Sequence, residues 1–230
     1  MALADLVARY VPAIDGEMAA VLDARGADLD LYRFQRYHLG WLDGEFRSLT
    51  EAEARRYGGK RLRPILCLLA YLSLREDWER ALPAAAALEL IQNFTLIHDD
   101  VEDSDPERRH RPTVWKLWGV PHAINAGSNM QALVNAALLR LRDRGFADAP
   151  VLRSVALLTG CILELTEGQY LDMSYEGRFD VTLDDYFRMT GGKTGALFEA
   201  SCRLGALLAT EDAGMAEAWS VLGRSFGLAF

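Results

Sequence analysis

The chain has 230 residues, half of them hydrophobic, and a formal net charge of −8 that results from 25 basic and 33 acidic side chains. This length fits one domain, and this composition is typical of a soluble globular protein with a large core. Global disorder is excluded because the chain is too apolar, and the acidic balance argues against nucleic-acid binding, which needs a basic face. No run approaches the roughly 20 uncharged apolar residues of a membrane span, and Asp5 and Arg9 interrupt any signal-peptide core.

The three cysteines, Cys67, Cys161 and Cys202, lie far apart within apolar stretches. An odd number without a CxxC pair is typical of reduced, buried thiols rather than of disulfides or zinc ligands. We therefore expect a reducing compartment and a cytoplasmic location.

Apolar residues recur at spacings of three and four, as they do on one face of an α-helix. This periodicity predicts helices over residues 2–24, 28–48, 61–75, 79–103, 121–143, 150–176, 182–209 and 212–230. No stretch alternates with a period of two between turn residues, so the sequence predicts no sheet. We expect a single all-α domain, a helical bundle that spans residues 1–230.

The fourth predicted helix ends in a cluster of carboxylates formed by Asp99, Asp100 and Asp103. Carboxylates are disfavoured at a helix C-terminus, which carries partial negative charge, and Asp99 and Asp103 share one helix face. Like charges there need a cation, and oxygen ligands suit Mg²⁺ or Ca²⁺ better than zinc. A basic segment with Arg108 and Arg109 follows. Surface ion pairs at an ordinary helix end are the alternative interpretation.

A second basic cluster, GGKRLRP, contains Lys60, Arg61 and Arg63 ahead of a predicted helix. The N-terminus of a helix favours anions, and Lys and Arg pair with phosphate oxygens. The spacing of a Walker phosphate-binding loop is absent. Alone, this motif is equally typical of a solvated helix start.

Two polar motifs lie further along the chain. Gln169 and Asp172 are three residues apart and so face the same side of a helix. Gly191 and Gly192 lie within a helical pattern, where two glycines make the helix less stable by about 2 kcal/mol than two alanines would. This cost predicts a break in the helix that directs Lys193 and Thr194 into a cavity. A polar patch and a helix end are the alternatives. Carboxylates for a divalent metal and separate cations on apolar helices together indicate a site for a phosphate ester with an apolar remainder.

In this order, the four motifs GGKRLRP, LIHDDVEDSDPERRHRPTVW, EGQYLDM and GGKTGALF resemble those of the trans-isoprenyl diphosphate synthases. This polyprenyl synthetase family includes farnesyl and geranylgeranyl diphosphate synthases, and the likeness covers about residues 57–230. The resemblance implies an isoprenoid-synthase-type helical bundle around a central cavity, usually in a homodimer. It also implies Mg²⁺-dependent condensation of isopentenyl diphosphate with an allylic diphosphate.

The resemblance assigns roles motif by motif. The ligands of the Mg²⁺ ions that hold the allylic diphosphate would be Asp99, Asp100 and Asp103, and Arg108 would bind that diphosphate directly. The residues that bind isopentenyl diphosphate would be Lys60, Arg63, Gln92 and Arg109. The residues that steady the leaving diphosphate and the cationic intermediate would be Lys193 and Thr194, within a polar wall completed by Gln169 and Asp172. Gln92 precedes Asp99 by nearly two full helical turns, so we expect both to face one cavity.

This sequence departs from the family pattern in two places. The second aspartate-rich motif, expected a few residues after a segment like FGLAF, does not occur before Phe230. The resemblance therefore favours a C-terminally truncated enzyme over a natural short paralogue, with little condensation by these residues alone. Gly127-Ser128-Asn129 stands where relatives usually have Gly-Asp, which predicts a structural difference in a helix.

Two other functions stay open. A class I terpene cyclase ionises the same kind of diphosphate but needs no isopentenyl site, so Lys60, Arg63 and Arg109 argue against it. A non-catalytic partner subunit of a prenyl synthase is favoured by the missing motif and opposed by the intact first motif.

Product length depends on the residues one, two and three turns before Asp99, which are Thr95, Ile91 and Leu88. If the allylic tail runs back along this helix, these residues form successive floors of the cavity. Thr95 is small enough to let a tail pass, and the bulky Phe94 lies beside that face. One helical turn rises by about the reach of one isoprene unit. An aromatic residue at this position resembles the pattern of short-chain synthases, and this resemblance implies a product of about C15 to C20, with C20 slightly preferred. The alternative is that Phe94 packs in the core.

Overall fold

The computed structural model describes residues 3–25 and 28–230. Its α-helices, in chain order, are α1 (Leu3–Asp23), α2 (Asp30–His38), α3 (Glu51–Tyr57), α4 (Leu62–Leu72), α5 (Leu82–Glu102), α6 (Val114–Trp118), α7 (Val120–Leu139), α8 (Asp148–Tyr175), α9 (Leu183–Thr190), α10 (Ala196–Ala209) and α11 (Ala213–Ala229). Short 3₁₀ segments lie at Trp78–Ala81 and Arg142–Arg144, and a π-helical turn lies at Gly191–Gly195. The predicted all-α class is confirmed. The predicted helix start at residue 2 lies outside the described residues.

A short antiparallel hairpin is formed by β1 (Glu107–Arg108) and β2 (Arg111–Pro112). The prediction that no sheet forms is wrong at this point. Alternation over two residues is too short to be recognised as a strand in the sequence.

The chain divides into two compact units. The first comprises Met1–Arg61 and Glu89–Ala137, and the second comprises Leu62–Leu88 and Leu138–Phe230. That residues 1–230 form one domain stays a prediction.

The first unit is organised by aromatic packing between α2 and α6. The ring of Trp118 stacks on Phe34, with centroids 4.5 Å apart, and meets the edge of Tyr37 at 5.0 Å. Phe46, from the segment after α2, stacks on the same indole at 5.5 Å. This arrangement requires the chain to turn back after α2, so that Phe46 returns to the side of Phe34.

The predicted helix over residues 28–48 is therefore wrong, because α2 ends at His38. Gly40 has a φ of 80°, and a Cβ at this position would lie 2.7 Å from the backbone nitrogen of Gly58. Only glycine fits this left-handed turn against another segment of backbone. The Asp43 carboxylate then accepts backbone N–H bonds from residues 45 and 47, each at 2.9 Å, which fixes the loop.

The sequence analysis also missed α3. The Thr50 side chain accepts from the Glu53 backbone N–H, and the Glu53 carboxylate accepts from the Thr50 backbone N–H, which completes a capping box. The Thr-x-x-Glu spacing is a sequence signal for a helix start and could have predicted this helix.

The segment Gly127-Ser128-Asn129 lies within α7, which continues through it without interruption. Asn129 Oδ1 accepts a hydrogen bond of 2.9 Å from Nε2 of the fully buried Gln35. The departure from the family pattern is thus accommodated by a side-chain contact with α2, and the expected change of helix structure is not seen here.

The second unit is built around α10, which packs against α4, α8 and α11. The predicted helix over residues 182–209 is divided into α9, the π turn and α10. The predicted break at Gly191 and Gly192 is instead a wider helical turn that continues into α10. A Cβ at Gly168 of α8 would lie 2.1 Å from the Lys193 backbone nitrogen, so the glycines serve a close contact between α8 and this turn.

Within the described residues, α8 is the one helix that is long and apolar enough to cross a membrane by length and composition alone. Core helices of proteins in water pass the same test. The buried positions of α8 are Val151, Ser154, Leu158, Cys161, Leu165 and Gly168. Their spacing of three and four is that of a helix packed along one face. The expected lack of a membrane span stays a prediction.

All three cysteines are free and buried, as the sequence predicts. Burial raises the pKa of the Cys161 thiol to about 12 and that of Cys202 to about 11. Burial likewise raises the pKa of Cys67 far above its usual value. These thiols are protonated at neutral pH and behave as small apolar side chains.

We expect Gly168→Ala to lower the free energy of unfolding by about 1–3 kcal/mol, because the added methyl group would force α8 away from the π turn. Gly160, on the same helix, has no atom within 4 Å of its Cβ position. Gly160→Ala is the matched control and should change stability by at most about 1 kcal/mol, in the stabilising direction. Urea unfolding of the two variants measures both values, and equal effects would contradict the close contact.

Candidate functional site

The aspartate cluster lies at the C-terminal end of α5, where Asp100 is 1% exposed, Asp99 is half-buried and Asp103 is exposed. Arg108 neutralises the two inner carboxylates. Its Nε donates to Asp100 Oδ1 at 2.5 Å, and its Nη2 donates to Asp99 Oδ2 at 3.2 Å. Burial raises the pKa of Asp100 to about 6, although Arg108 acts in the opposite direction. The acidic and basic parts of the motif are thus in direct contact.

The β1–β2 hairpin holds the arginines in place. Arg109 and His110 form its two-residue turn, with φ values of 53° and 62°. Positive φ at both central positions is the geometry of a type I′ turn, which normally contains Asn and Gly. Non-glycine residues are strained there by about 1–2 kcal/mol each. Strain retained in an ordered segment is typical of a functional site.

The base of this hairpin is fixed by two side chains that bind one carbonyl oxygen. Thr113 Oγ1 and Trp115 Nε1 donate to the Asp105 oxygen at 2.9 and 2.8 Å. These two hydrogen bonds therefore fix the segments on either side of the strained turn.

Arg109 is a half-buried cation in this turn. Burial and the nearby Arg61 lower its pKa to about 10, which leaves it charged at neutral pH. Its Nη1 donates to the Tyr57 backbone oxygen at 2.9 Å, and none of the ion pairs among the described residues includes it. A buried charge without a counterion is unfavourable. This position is therefore suited to an anionic ligand.

A cleft in the first unit collects these groups. Its lining consists of Tyr37, His38, Tyr57, Asp100, Arg108, Arg109, Arg111, Pro112, Thr113 and Val114. Asp100, Arg108 and Arg109 are predicted from the sequence as site residues, whereas His38, Tyr57 and Arg111 are not. The sequence signal that could have identified Arg111 is its position beside the other arginines. His38 of α2 and Tyr57 of α3 reach the cleft only because the chain turns back after α2.

The motif GGKRLRP divides into three different environments. Lys60 is exposed. Arg61 is 3% exposed and pairs with Glu89 at 2.8 Å and with Asp15 at 2.9 Å. Arg63 lies in the second unit, where its guanidinium stands 4.3 Å from the centre of the Phe198 ring. Arg61 is thus held in ion pairs within the fold, and the binding roles of Lys60 and Arg63 stay predictions.

In the second unit, Lys193 Nζ pairs with Asp172 Oδ2 at 2.5 Å. The π turn places this ammonium group against α8, which also carries the half-buried Gln169. Thr194, on the same turn, is half-buried as well. The structure brings Lys193 and Asp172 together, and the convergence of this group on one cavity with the aspartates stays a prediction.

The residues proposed to bind or measure the substrate tail lie within α5. Phe94 is 2% exposed, and its ring centroid is 6.1 Å from that of His98. Thr95 Oγ1 donates to the Gln92 carbonyl oxygen at 3.0 Å, and both residues are half-buried. Leu88 and Ile91 are fully buried. Burial of Phe94 agrees with both of its interpretations, and the shared cavity of Gln92 and Asp99 stays a prediction.

The fit of a divalent metal was judged from the donors present. No group of three or more His, Cys, Asp or Glu side chains within the described ranges is close enough to hold a metal ion. Mg²⁺, however, is commonly bound by one or two carboxylates together with substrate phosphates and water. Asp99 near the end of α5 and Asp103 in the turn directly after this helix supply two carboxylates, half-buried and exposed respectively. The donor set therefore suits Mg²⁺ that arrives with a phosphate ligand.

Comparisons with known proteins show a likeness to one family. A family model described as polyprenyl synthetase matches residues 49–230. The (2E,6E)-farnesyl diphosphate synthase of Mycobacterium tuberculosis strain H37Rv is 41% identical over 195 residues, which cover 84% of this chain and 51% of that protein. The geranylgeranyl diphosphate synthase of the same strain is 42% identical over 194 residues, which cover 84% and 53%. The chain thus spans about half the length of these curated relatives.

Solved structures show the same likeness. A polyprenyl synthetase from Streptomyces coelicolor A3(2) has a TM-score of 0.87 and 34% identity, with 99% of this chain and 64% of that chain covered. A geranylgeranyl pyrophosphate synthetase from Pyrococcus horikoshii has a TM-score of 0.85 and 32% identity, with 99% and 63% covered. The predicted isoprenoid-synthase-type helical fold is confirmed.

We expect Glu89→Gln to lower the free energy of unfolding by about 3 kcal/mol, because it breaks a buried ion pair and leaves the Arg61 cation with Asp15 alone. The matched control is Glu51→Gln, which removes the exposed partner of Arg55 in a contact of 3.5 Å. The control should change stability by less than about 1 kcal/mol. Urea unfolding at neutral pH measures the free energy of unfolding of both variants. If Glu89→Gln lost less stability than Glu51→Gln, the anchoring role of Arg61 would be contradicted.

Proposed function

The chain belongs to the polyprenyl synthetase family, and we propose that the whole protein is a prenyltransferase. It condenses isopentenyl diphosphate with an allylic diphosphate to a polyprenyl diphosphate of about C15 to C20, a length supported by the resemblance of Phe94 to the aromatic residue of short-chain synthases. The observation that carries the proposal is the half-buried Arg109 cation, which forms no ion pair with a carboxylate of the described residues and lies in a cleft beside Arg108 and the aspartate cluster. A second diphosphate site distinguishes a condensing enzyme from a class I terpene cyclase.

The reaction is driven by charge placement. The C–O bond between the allylic group and its diphosphate breaks heterolytically, and the diphosphate takes the electron pair. The double bond of isopentenyl diphosphate then attacks the allylic cation, and loss of one proton restores a double bond in the product. Cations fixed in advance lower the barrier because they stabilise charge that develops only as the bond breaks.

The described residues supply this preorganisation in different ways. Arg109 binds isopentenyl diphosphate from a strained turn whose base is held in place by hydrogen bonds. Arg108 is positioned by Asp99 and Asp100 and faces the allylic diphosphate. Lys193, paired with Asp172 at 2.5 Å, contacts the leaving diphosphate. The apolar residues along α5 exclude water, which would otherwise trap the allylic cation.

A divalent metal completes the proposal. Mg²⁺ would supply Lewis-acid charge to the diphosphate. We assign its carboxylate ligands to Asp99 and Asp103, which are half-buried and exposed, whereas Asp100 is buried. The homodimer and the cytoplasmic location are part of the same proposal and are supported by the family resemblance and by the free, buried thiols.

Substitution of Arg109 by Gln in the full-length protein should raise the KM for isopentenyl diphosphate by about 10- to 100-fold, the usual value of charged hydrogen bonds. The KM for the allylic diphosphate should change by less than about threefold, which is less than the loss of one charged hydrogen bond causes. The reason is that the proposal assigns this diphosphate to Arg108 and not to Arg109. Arg55→Gln, at an exposed position, is the control. An unchanged KM for isopentenyl diphosphate, or cyclic products formed without it, would exclude the condensing function.

The metal assignment predicts that Asp99→Ala or Asp103→Ala lowers kcat by at least about 10²- to 10³-fold, as expected when a charge-stabilising group is lost. Glu107→Gln changes an exposed carboxylate on the neighbouring strand β1 and should leave kcat unchanged. Rates are measured across a Mg²⁺ titration of the full-length enzyme. Near-normal turnover of either alanine variant with Mg²⁺ would show that these carboxylates do not hold the metal.

The length of the product should increase when Phe94 is replaced by Ala, because the shortened side chain opens the floor one turn below the aspartates. Chromatography of the prenyl products of the full-length enzyme measures the change. Phe179→Ala removes a fully exposed ring and is the control. If Phe94→Ala gives the same product distribution, Phe94 is ordinary core.

A further inference from the structure

Two buried polar atoms in the cleft of the first unit have no hydrogen-bond partner within the described residues. They are Nε2 of His38 and Oδ2 of Asp100. Both residues line the same cleft. Buried polar atoms in proteins are almost always hydrogen-bonded, so two such atoms on residues that line one cleft indicate a shared ligand.

The two atoms are chemically complementary. His38 is the last residue of α2 and lies beside Arg61, Arg108, Arg109 and Arg111. Burial and these cations hold the pKa of His38 well below its usual value. A neutral imidazole offers one N–H donor and one acceptor nitrogen. A carboxylate oxygen carries no proton and therefore accepts hydrogen bonds. The other oxygen of Asp100, Oδ1, already accepts from Arg108.

The cleft has room for a small ligand. Its cavity volume is about 20 Å³. This exceeds the roughly 10–15 Å³ that one water molecule requires. Its polar lining provides the two to four partners that a buried water usually has. One water molecule, which both donates and accepts, can satisfy both orphaned atoms.

We propose that His38 is a positioning residue that holds the Asp100 carboxylate through a single buried water. The water accepts from His38 Nε2 and donates to Asp100 Oδ2. Arg108 then binds one carboxylate oxygen and the water binds the other, so the carboxylate cannot rotate. The guanidinium of Arg108 is thereby fixed in the direction from which it meets a diphosphate.

The catalytic consequence rests on the proposed prenyltransferase function, whereas the water site does not. Loss of a group that orients a ligand-binding side chain typically weakens ligand binding or activity by 10- to 100-fold, that is, about 1.4–2.8 kcal/mol. His38→Leu removes the donor, and His38→Gln returns an amide N–H near the position of Nε2. His122→Leu changes an exposed histidine on α7 and is the control.

The first experiment is a high-resolution crystal structure of the unsubstituted full-length protein, which needs no variant to fold. We expect one ordered water within hydrogen-bonding distance of His38 Nε2 and Asp100 Oδ2. An absent water peak, or a metal ion bound directly to Asp100 Oδ2, would overturn the proposal. A protein that shows the water but condenses no prenyl diphosphates would retain the site and lose the proposed function.

The second experiment is calorimetric titration of each full-length variant with inorganic diphosphate in the presence of Mg²⁺. His38→Leu should bind at least about 10-fold more weakly, His38→Gln should recover to within about threefold of the unsubstituted protein, and His122→Leu should bind normally. Equal weakening by Leu and Gln, or no weakening by either, would contradict a role that acts through a hydrogen bond. Near-identical melting temperatures of the His38 variants confirm that the comparison concerns folded protein.

Discussion

A single buried cation, Arg61, organises the first unit. It binds carboxylates of α1 and α5 and also donates to the backbone oxygens of Leu39, at 3.2 Å, and of Gly58. Asn93 donates to the same Glu89 oxygen at 2.8 Å, so the buried charges form one network. Removing charges from water is expensive, and such a pair is stable only when every partner is in place. The network therefore joins the end of α2, the loop before α4 and the middle of α5 into one arrangement.

That arrangement also determines the electrostatics of the cleft. Because Arg61 cannot move, its charge acts on Arg109 and contributes to the lowered pKa of that guanidinium. The free protein thus contains a cation that is held near other cations, a strained two-residue turn, and a carboxyl group whose pKa is raised to about 6 at Asp100. Each feature is unfavourable without a ligand. An anion with a divalent metal would relieve them together, which is the usual relation between stability and function in a preorganised site.

The bounds of a helix could be predicted from the sequence wherever the helix was long and its apolar face was continuous. The helices α5, α8 and α11 were predicted to within a few residues because their 3.6-residue period extends over several turns. The same period gave a wrong helix end after α2. Phe34, Tyr37 and Trp41 keep the helical spacing across the turn at Gly40, so the sequence predicted a helix that continues beyond this turn. The turn of the hairpin could not be predicted because Arg109 and His110 are not the residues that such a turn prefers.

For the candidate site, the charged motif was predictable and its surroundings were not. The contact between Arg108 and the aspartates follows from their proximity in sequence. His38 and Tyr57 reach the cleft from distant segments, and nothing in their own neighbourhood indicates a polar environment. The role of Arg61 was hidden for the opposite reason, because it lies between two residues of a motif that resembles a phosphate-binding site.

The three shielded thiols make the chain well suited to site-directed labelling. A thiol reacts with a maleimide as the thiolate, and burial both raises the pKa of these groups and blocks the reagent. A cysteine introduced at an exposed position of α7, such as Ser128, would therefore react much faster than the native ones. A fluorophore or spin label attached there would report motion of that helix without any need to replace Cys67, Cys161 or Cys202 first.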